Sequence, residues 1–138
     1  MMSAVGSIML DLERLVGDVS AGLAKELTIA LRNETPKETG HAASNWIPSV
    51  GTPYTGIAGS RESVSYSTQN IAIAKVFAKY SIFGGSLYIT NNVRYIGALN
   101  RGHSGQAPSM FVERTVITVS RKYRPKPRRL LRRVFSGS

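Results

Sequence analysis

The chain has 138 residues, 42% of them hydrophobic, no cysteine and a formal net charge of +10 at pH 7. That length supports one domain with a real core and is short for two. Lack of cysteine excludes disulfides, thiolate metal sites and cysteine nucleophiles, and no run approaches the roughly 18 apolar residues of a membrane helix. The N-terminus shows neither the basic start nor the long apolar block of a signal peptide, so no membrane partner is expected and the protein should stay in the cytoplasm that makes it.

In chain order, Ser7 to Asn33 reads as a long amphipathic helix. Ile8, Leu12, Leu15, Val16, Val19, Leu23, Leu27, Ala30 and Leu31 recur at spacings of three and four, with Asp11, Arg14, Asp18, Lys25 and Arg32 largely on the other side. Ser7 is the expected N-cap, followed by Asp11 and Glu13, where the helix dipole favours acids. Gly17 and Gly22 each weaken such a helix by about 1 kcal/mol unless close packing uses them. Thr35-Pro36 breaks it. A strand is expected within His41 to Gly51, with Trp46 as a core anchor whose indole N–H needs a partner, and with Pro48 confining the strand to an edge or bulge. GTPYTGIAG (51–59) has the composition of a loop or hairpin, and Ser60 to Tyr66 reads as a short returning strand. A helix capped by Ser67 or Thr68 should then run to about Phe83 on the stripe Ile73, Val76, Phe77 and Tyr80, with Gly84-Gly85 ending it.

The stretch from Ser86 to Met110 is the most informative. Leu87 and Ile89 alternate with Tyr88 and Thr90 as in a strand, and Asn91-Asn92 marks a turn. Val93, Ile96, Ala98 and Leu99 have helical spacing, and Gly102 stops it. Arg94, Asn100, Arg101, His103, Ser104 and Gln106 crowd this short segment with polar groups that no core needs. Pro108 suits the first turn of a last element from Ser109 to about Lys122. Phe111, Val112, Thr115, Val116 and Val119 form a helical stripe there, yet ERTVITV is rich enough in β-branched residues to be a strand.

Charge is concentrated at the end of the chain. Arg121, Lys122, Arg124, Lys126, Arg128, Arg129, Arg132 and Arg133 are eight of the eighteen basic residues, which leaves ten against the eight acids of the body. These eight are the expected contacts to DNA or to an acidic protein surface. The chain thus divides into a domain over 1–120 and a basic tail over 121–138. Nothing in it has the arrangement of an active site. His41 and His103 are far apart and in no metal-ligand spacing, the adjacent His103 and Ser104 do not have the geometry of a base and nucleophile, and there is no G-x-S-x-G elbow. No catalytic residue, metal or cofactor is expected, and the protein is not expected to be an enzyme.

Ile89-Thr90-Asn91-Asn92, Tyr95, Gly102, Ser104 and Gln106-Ala107-Pro108, in that order, resemble a stretch of the neck or tail-completion proteins that join head to tail in long-tailed bacteriophages. Thr35-Pro36-Lys37-Glu38-Thr39-Gly40 with Asn45-Trp46 is similar to that family's T-P-x-D-T-G and N-W segment. Glu38 stands where Asp is more usual, and Arg101 where an uncharged residue is. The resemblance implies an α+β fold in which a long N-terminal helix and further helices, including one over 109–120, pack on a small, mostly antiparallel sheet. It also implies a structural virion protein, made in the host cytoplasm, that assembles as a sixfold or twelvefold ring. Adjoining neck, connector and tail proteins would be its partners, with DNA in the channel as a further one. Arg94, Tyr95, Arg101, His103, Ser104 and Gln106 would then meet a partner or a neighbouring subunit. The tail alone would instead suggest a sequence-nonspecific nucleic-acid-binding protein, but such a protein would spread arginine and aromatic residues over its folded body, and this body is nearly neutral.

Overall fold

A computed structural model describes residues 4–36, 40–58, 66–78, 80–102 and 110–123. The fold is α+β, with five helices and a two-stranded antiparallel sheet among the described residues. Helix α1 (Ala4–Glu34) is the spine, and α5 (Phe111–Lys122), α3 (Tyr66–Phe77) and the sheet all pack against it. It begins before Ser7, because Ala4 extends a helix at no propensity cost. Ser7 is therefore an interior residue, not the N-cap, and no acid occupies the first turn. Neither suspect glycine is required by a close approach, since an added side chain would make ordinary contacts at both. A Cβ on Gly17 would meet the backbone of Tyr80, Ser81 and Ile82 at 3.8 Å, and one on Gly22 would meet the Tyr123 ring at 3.4 Å. Arg32, expected on the outer face, is buried, because α1 is covered on more sides near its C-terminus.

The strand expected from His41 is shorter than the pattern implied. One helical turn, α2 (His41–Ser44), comes first, and β1 is only Ile47–Val50. Ser44 Oγ and Asn45 Nδ2 both donate to the His41 carbonyl, at 3.1 and 2.8 Å, and these local bonds hold the chain in a turn up to Trp46. Strand β1 pairs with β2 (Leu87–Thr90) in the register Ile47 to Thr90 through Val50 to Leu87, with Pro48 opposite Ile89.

Helix α3 starts at Tyr66, where a strand residue was expected, and ends at Phe77 rather than near Phe83. The chain leaves the helix there and lays the backbone of 80–82 against Gly17, and Gly85 then takes φ 89° on the way into β2. Of the predicted stripe, Ile73 and Phe77 are buried while Val76 is exposed. The remainder of the expected strand at 60–65 lies outside the described residues. Helix α4 is the short Ile96–Asn100, later than the predicted start at Val93, because Asn91 Oδ1 accepts from the Val93 amide at 3.2 Å and closes a turn first. Residues 111–122 are helical despite their β-branched content. Phe111, Thr115 and Val119, four apart, bury one face, while Val116 faces outward.

Candidate interaction surface

Of the residues that carry the resemblance, Thr35, Asn45, Trp46, Thr90, Asn91 and Asn92 are tied to other parts of the chain by hydrogen bonds, while Tyr95 and Gly102 are exposed. Trp46 is 6% exposed and packs with Leu31 and Phe111. Its Nε1 donates to Thr35 Oγ1 at 2.8 Å, and that hydroxyl donates to the Leu31 carbonyl at 2.6 Å, so the indole N–H has the partner its burial requires. Arg32 Nη2 donates to the Trp46 carbonyl at 3.1 Å. Asn91 Nδ2 reaches back 49 residues to the Ala42 carbonyl at 2.9 Å. Thr90 Oγ1 donates toward the carbonyls of Ile47 and Tyr54 at 3.4 and 3.3 Å. The Thr35–Trp46 block and the Ile89–Asn92 block are thus one clamp, pinning the end of α1 to the sheet. Residues Lys37, Glu38 and Thr39 of the first block lie outside the described residues.

Beyond the clamp lies a polar rim. Arg94 and Tyr95 are exposed on the turn before α4, and Arg101 is exposed just after it. Gly102 follows with φ 91°, a left-handed conformation that ends the helix without the steric cost a side chain would add. His103, Ser104 and Gln106 lie outside the described residues, but the two ends of the segment that contains them are fastened together by Asn100. Its carbonyl accepts from the Met110 amide, its Oδ1 accepts from the Val112 amide at 2.9 Å, and its Nδ2 donates to both Glu113 carboxylate oxygens at 3.1 and 2.9 Å. Asn100 therefore acts as a cap for α5 from another element, beside a Met110 at φ 63° that offers no side-chain cap of its own.

Arg121 and Lys122 belong to the last turn of α5 rather than to a separate tail. Lys122 Nζ sits 2.9 Å from Glu26 Oε1, and Tyr123 Oη donates to Glu26 Oε2 at 2.7 Å. The Lys122 and Tyr123 hydrogen bonds hold the Glu26 carboxyl below its ordinary range. Desolvation, helped by the Glu26 charge, pushes the Tyr123 hydroxyl up to about 12. This latch is mostly solvent-exposed, so it fixes where α5 ends more than it adds stability. Arg124, Lys126, Arg128, Arg129, Arg132 and Arg133 lie outside the described residues.

Sequence reasoning named Asn45 and Asn100 without finding what they hold in place, and it did not find the Glu26–Tyr123 pair. Asn45 to Ala58, Asn100 to Val112 and Glu26 to Tyr123 are bonds across 13, 12 and 97 residues, so no local pattern announces them. Among the described residues no group of three or more His, Asp or Glu side chains is placed to hold a metal ion. No described helix is long and apolar enough to cross a membrane. Compared with known protein families, curated proteins and solved structures, the chain matches none.

Proposed function

We propose that this protein is a structural component of a phage neck, assembling as a ring that joins the DNA-filled head to the tail. The observation that carries this reading is the clamp. The segments that hold the two blocks, far apart in sequence, meet through the bonds from Asn91 to the Ala42 carbonyl and from Thr90 to the Ile47 carbonyl, residues that adjoin the first block. A motif shared for its architecture has reason to keep such residues together. In this reading Arg94, Tyr95 and Arg101, with His103, Ser104 and Gln106 nearby in sequence, face a neighbouring subunit or the adjoining ring. The basic residues from Arg121 onward reach DNA in the channel or an acidic partner.

Two variants test the proposal in a phage that depends on this protein. Arg101→Ala with Gln106→Ala should lower the yield of joined particles, and the exposed Arg101 should account for no more than about 0.5 kcal/mol of any change in stability. A chain ending at Tyr123 retains the Glu26 latch and should fold but support joining poorly. Normal infectious yield from both variants would remove the neck reading. The alternative, sequence-nonspecific nucleic-acid binding through the tail, requires duplex binding by the free protein, with a log-log salt slope of about −0.9 for each phosphate neutralised.

A further inference from the structure

We infer that the outward face of α5, with Arg114, Thr118 and Arg121, binds the phosphate backbone of nucleic acid and is the rigid start of a contact that the later basic residues continue. The inference rests on the reading above, in which the basic end of the chain meets DNA or an acidic partner. It selects DNA and places the first contacts on the folded domain.

Phe111, Thr115 and Val119 turn one side of α5 inward against α1, which fixes the side that faces out. Glu113, Arg114, Ile117, Thr118 and Arg121 are exposed. Arg114 and Arg121 are seven positions apart, so they lie about 20° apart around the helix and roughly 10.5 Å apart along it. Thr118 is one turn from each, and a threonine hydroxyl is a common phosphate donor. Ile117 borders this stripe and brings no charge to it.

Two acids near α5 are already engaged. Glu113, about 100° round the helix from Arg114, accepts from Asn100 Nδ2 with both oxygens. Glu26 is held by Lys122 Nζ and Tyr123 Oη. No Asp or Glu follows Glu113 in the sequence. Among the described residues neither the Arg114 nor the Arg121 guanidinium has a hydrogen-bond or ion-pair partner. Helix stability accounts for only one of them. Arg121 is in the last turn, where a cation suits the negative end of the dipole, whereas Arg114 is near the positive end, where a cation gains nothing.

From Arg114 to Arg133 there are nine cations, and seven are arginines. Arginine suits the planar, bidentate recognition of phosphate better than lysine does. A duplex presents one negative charge about every 1.7 Å of its axis, so an array of cations with no acid among them meets it in any register. A folded protein surface carries both signs and is matched by both.

The test is fluorescence anisotropy of the full-length protein with a short random-sequence duplex across a salt series. Arg114→Ala with Arg121→Ala should lower the magnitude of the log-log slope by about 1.8, which is 0.9 for each phosphate no longer neutralised. Both positions are exposed, so the variant should melt like the parent. Arg114→Lys with Arg121→Lys keeps the charges and should keep the slope. Arg14→Ala with Lys75→Ala removes the same charge from exposed positions of α1 and α3 and should leave the slope at the parent's value. A measurement on the parent alone covers an alanine variant that fails to fold. Phenylglyoxal labelling, read by peptide mass spectrometry, should be lost at Arg114 and Arg121 when duplex is bound and be unchanged at Arg14. An unaltered slope in the Arg114 and Arg121 alanine variant, an equal fall in the Arg14 and Lys75 variant, or undiminished labelling overturns the α5 site. A parent that binds polyglutamate and not duplex overturns the choice of DNA and identifies an acidic protein instead. Failure of the neck reading shows separately, in the copy number of the protein in particles, and leaves these slopes as they are.

Discussion

The two hydrophobic clusters along α1 are built on different terms. Around Ala24, Ile73 and Phe77 the buried side chains are apolar, joined by half-buried Val50 and Leu87. Around Leu31, Trp46 and Phe111 the core is bordered by buried Arg32, Thr35 and Asn45, with donors aimed at particular carbonyls and hydroxyls. An apolar cluster contributes burial energy and tolerates repacking if volume is kept. Hydrogen-bonded groups buried at its edge also determine which arrangement forms, since a wrong one leaves them without partners. Of the described residues of the resemblance, Trp46 and Ile89 pack in the second cluster and Thr35 is bonded to Trp46. Both clusters use the C-terminal half of α1, Ala21, Ala24 and Ile29 in the first and Leu27 and Leu31 in the second, and it is the second that adjoins the bonds holding the 51–58 loop.

Large truncations in the two clusters should look alike in stability and differ in what they loosen. Trp46→Ala and Phe77→Ala should each cost roughly 3 to 5 kcal/mol in denaturant titrations. Hydrogen exchange at residues 51–58 should rise locally in the Trp46 variant and only through global unfolding in the Phe77 variant. Equal local exchange in both would erase the distinction. Next in size is Asn45→Ala, which leaves the Ala58 amide and carbonyl without their bonds and should cost about 1 to 3 kcal/mol, with early exchange of that amide as its signature.

Smaller still is Asn100→Ala, expected to cost about 1 kcal/mol as the loss of a helix cap, with fraying confined to the start of α5. The Glu26 latch should give the smallest effect and show itself through pH. The depressed Glu26 carboxyl contributes stability above its ordinary value of 4.5, and that contribution is lost as pH falls through its lower folded value. The raised Tyr123 hydroxyl contributes fully below its ordinary 10.0, and its share is lost as pH climbs toward and through about 12. Tyr123→Phe should remove the alkaline loss and keep most of the acid one, as followed by thermal melts across pH.

How far the sequence could be read follows from the range of the interactions. The periodicity of α1 exposes its core face because nearest turns set it, and the need of Trp46 for a donor partner follows from its chemistry alone. The single turn α2 is too short to show a period, so the strand expected from His41 started too early. Asn91 and Asn92 announce a turn locally, but their amides act on carbonyls 36 to 49 residues away. Arg32 follows the polar side of the helical pattern and is nevertheless buried, because the covering chain at Trp46 arrives from elsewhere. For 111–122, helix and strand were balanced by propensity, and packing of Phe111, Thr115 and Val119 on α1 accompanies the helical outcome.

The central claim is that the clamped end of the molecule serves assembly around an axis. Its most direct test is the copy number of the protein in purified phage particles, by quantitative mass spectrometry against a capsid protein of known count and by symmetry-resolved imaging of the neck. Six or twelve copies in one ring between head and tail is the expected result. A single copy, or absence of the protein from particles that are fully joined and infectious, would contradict it.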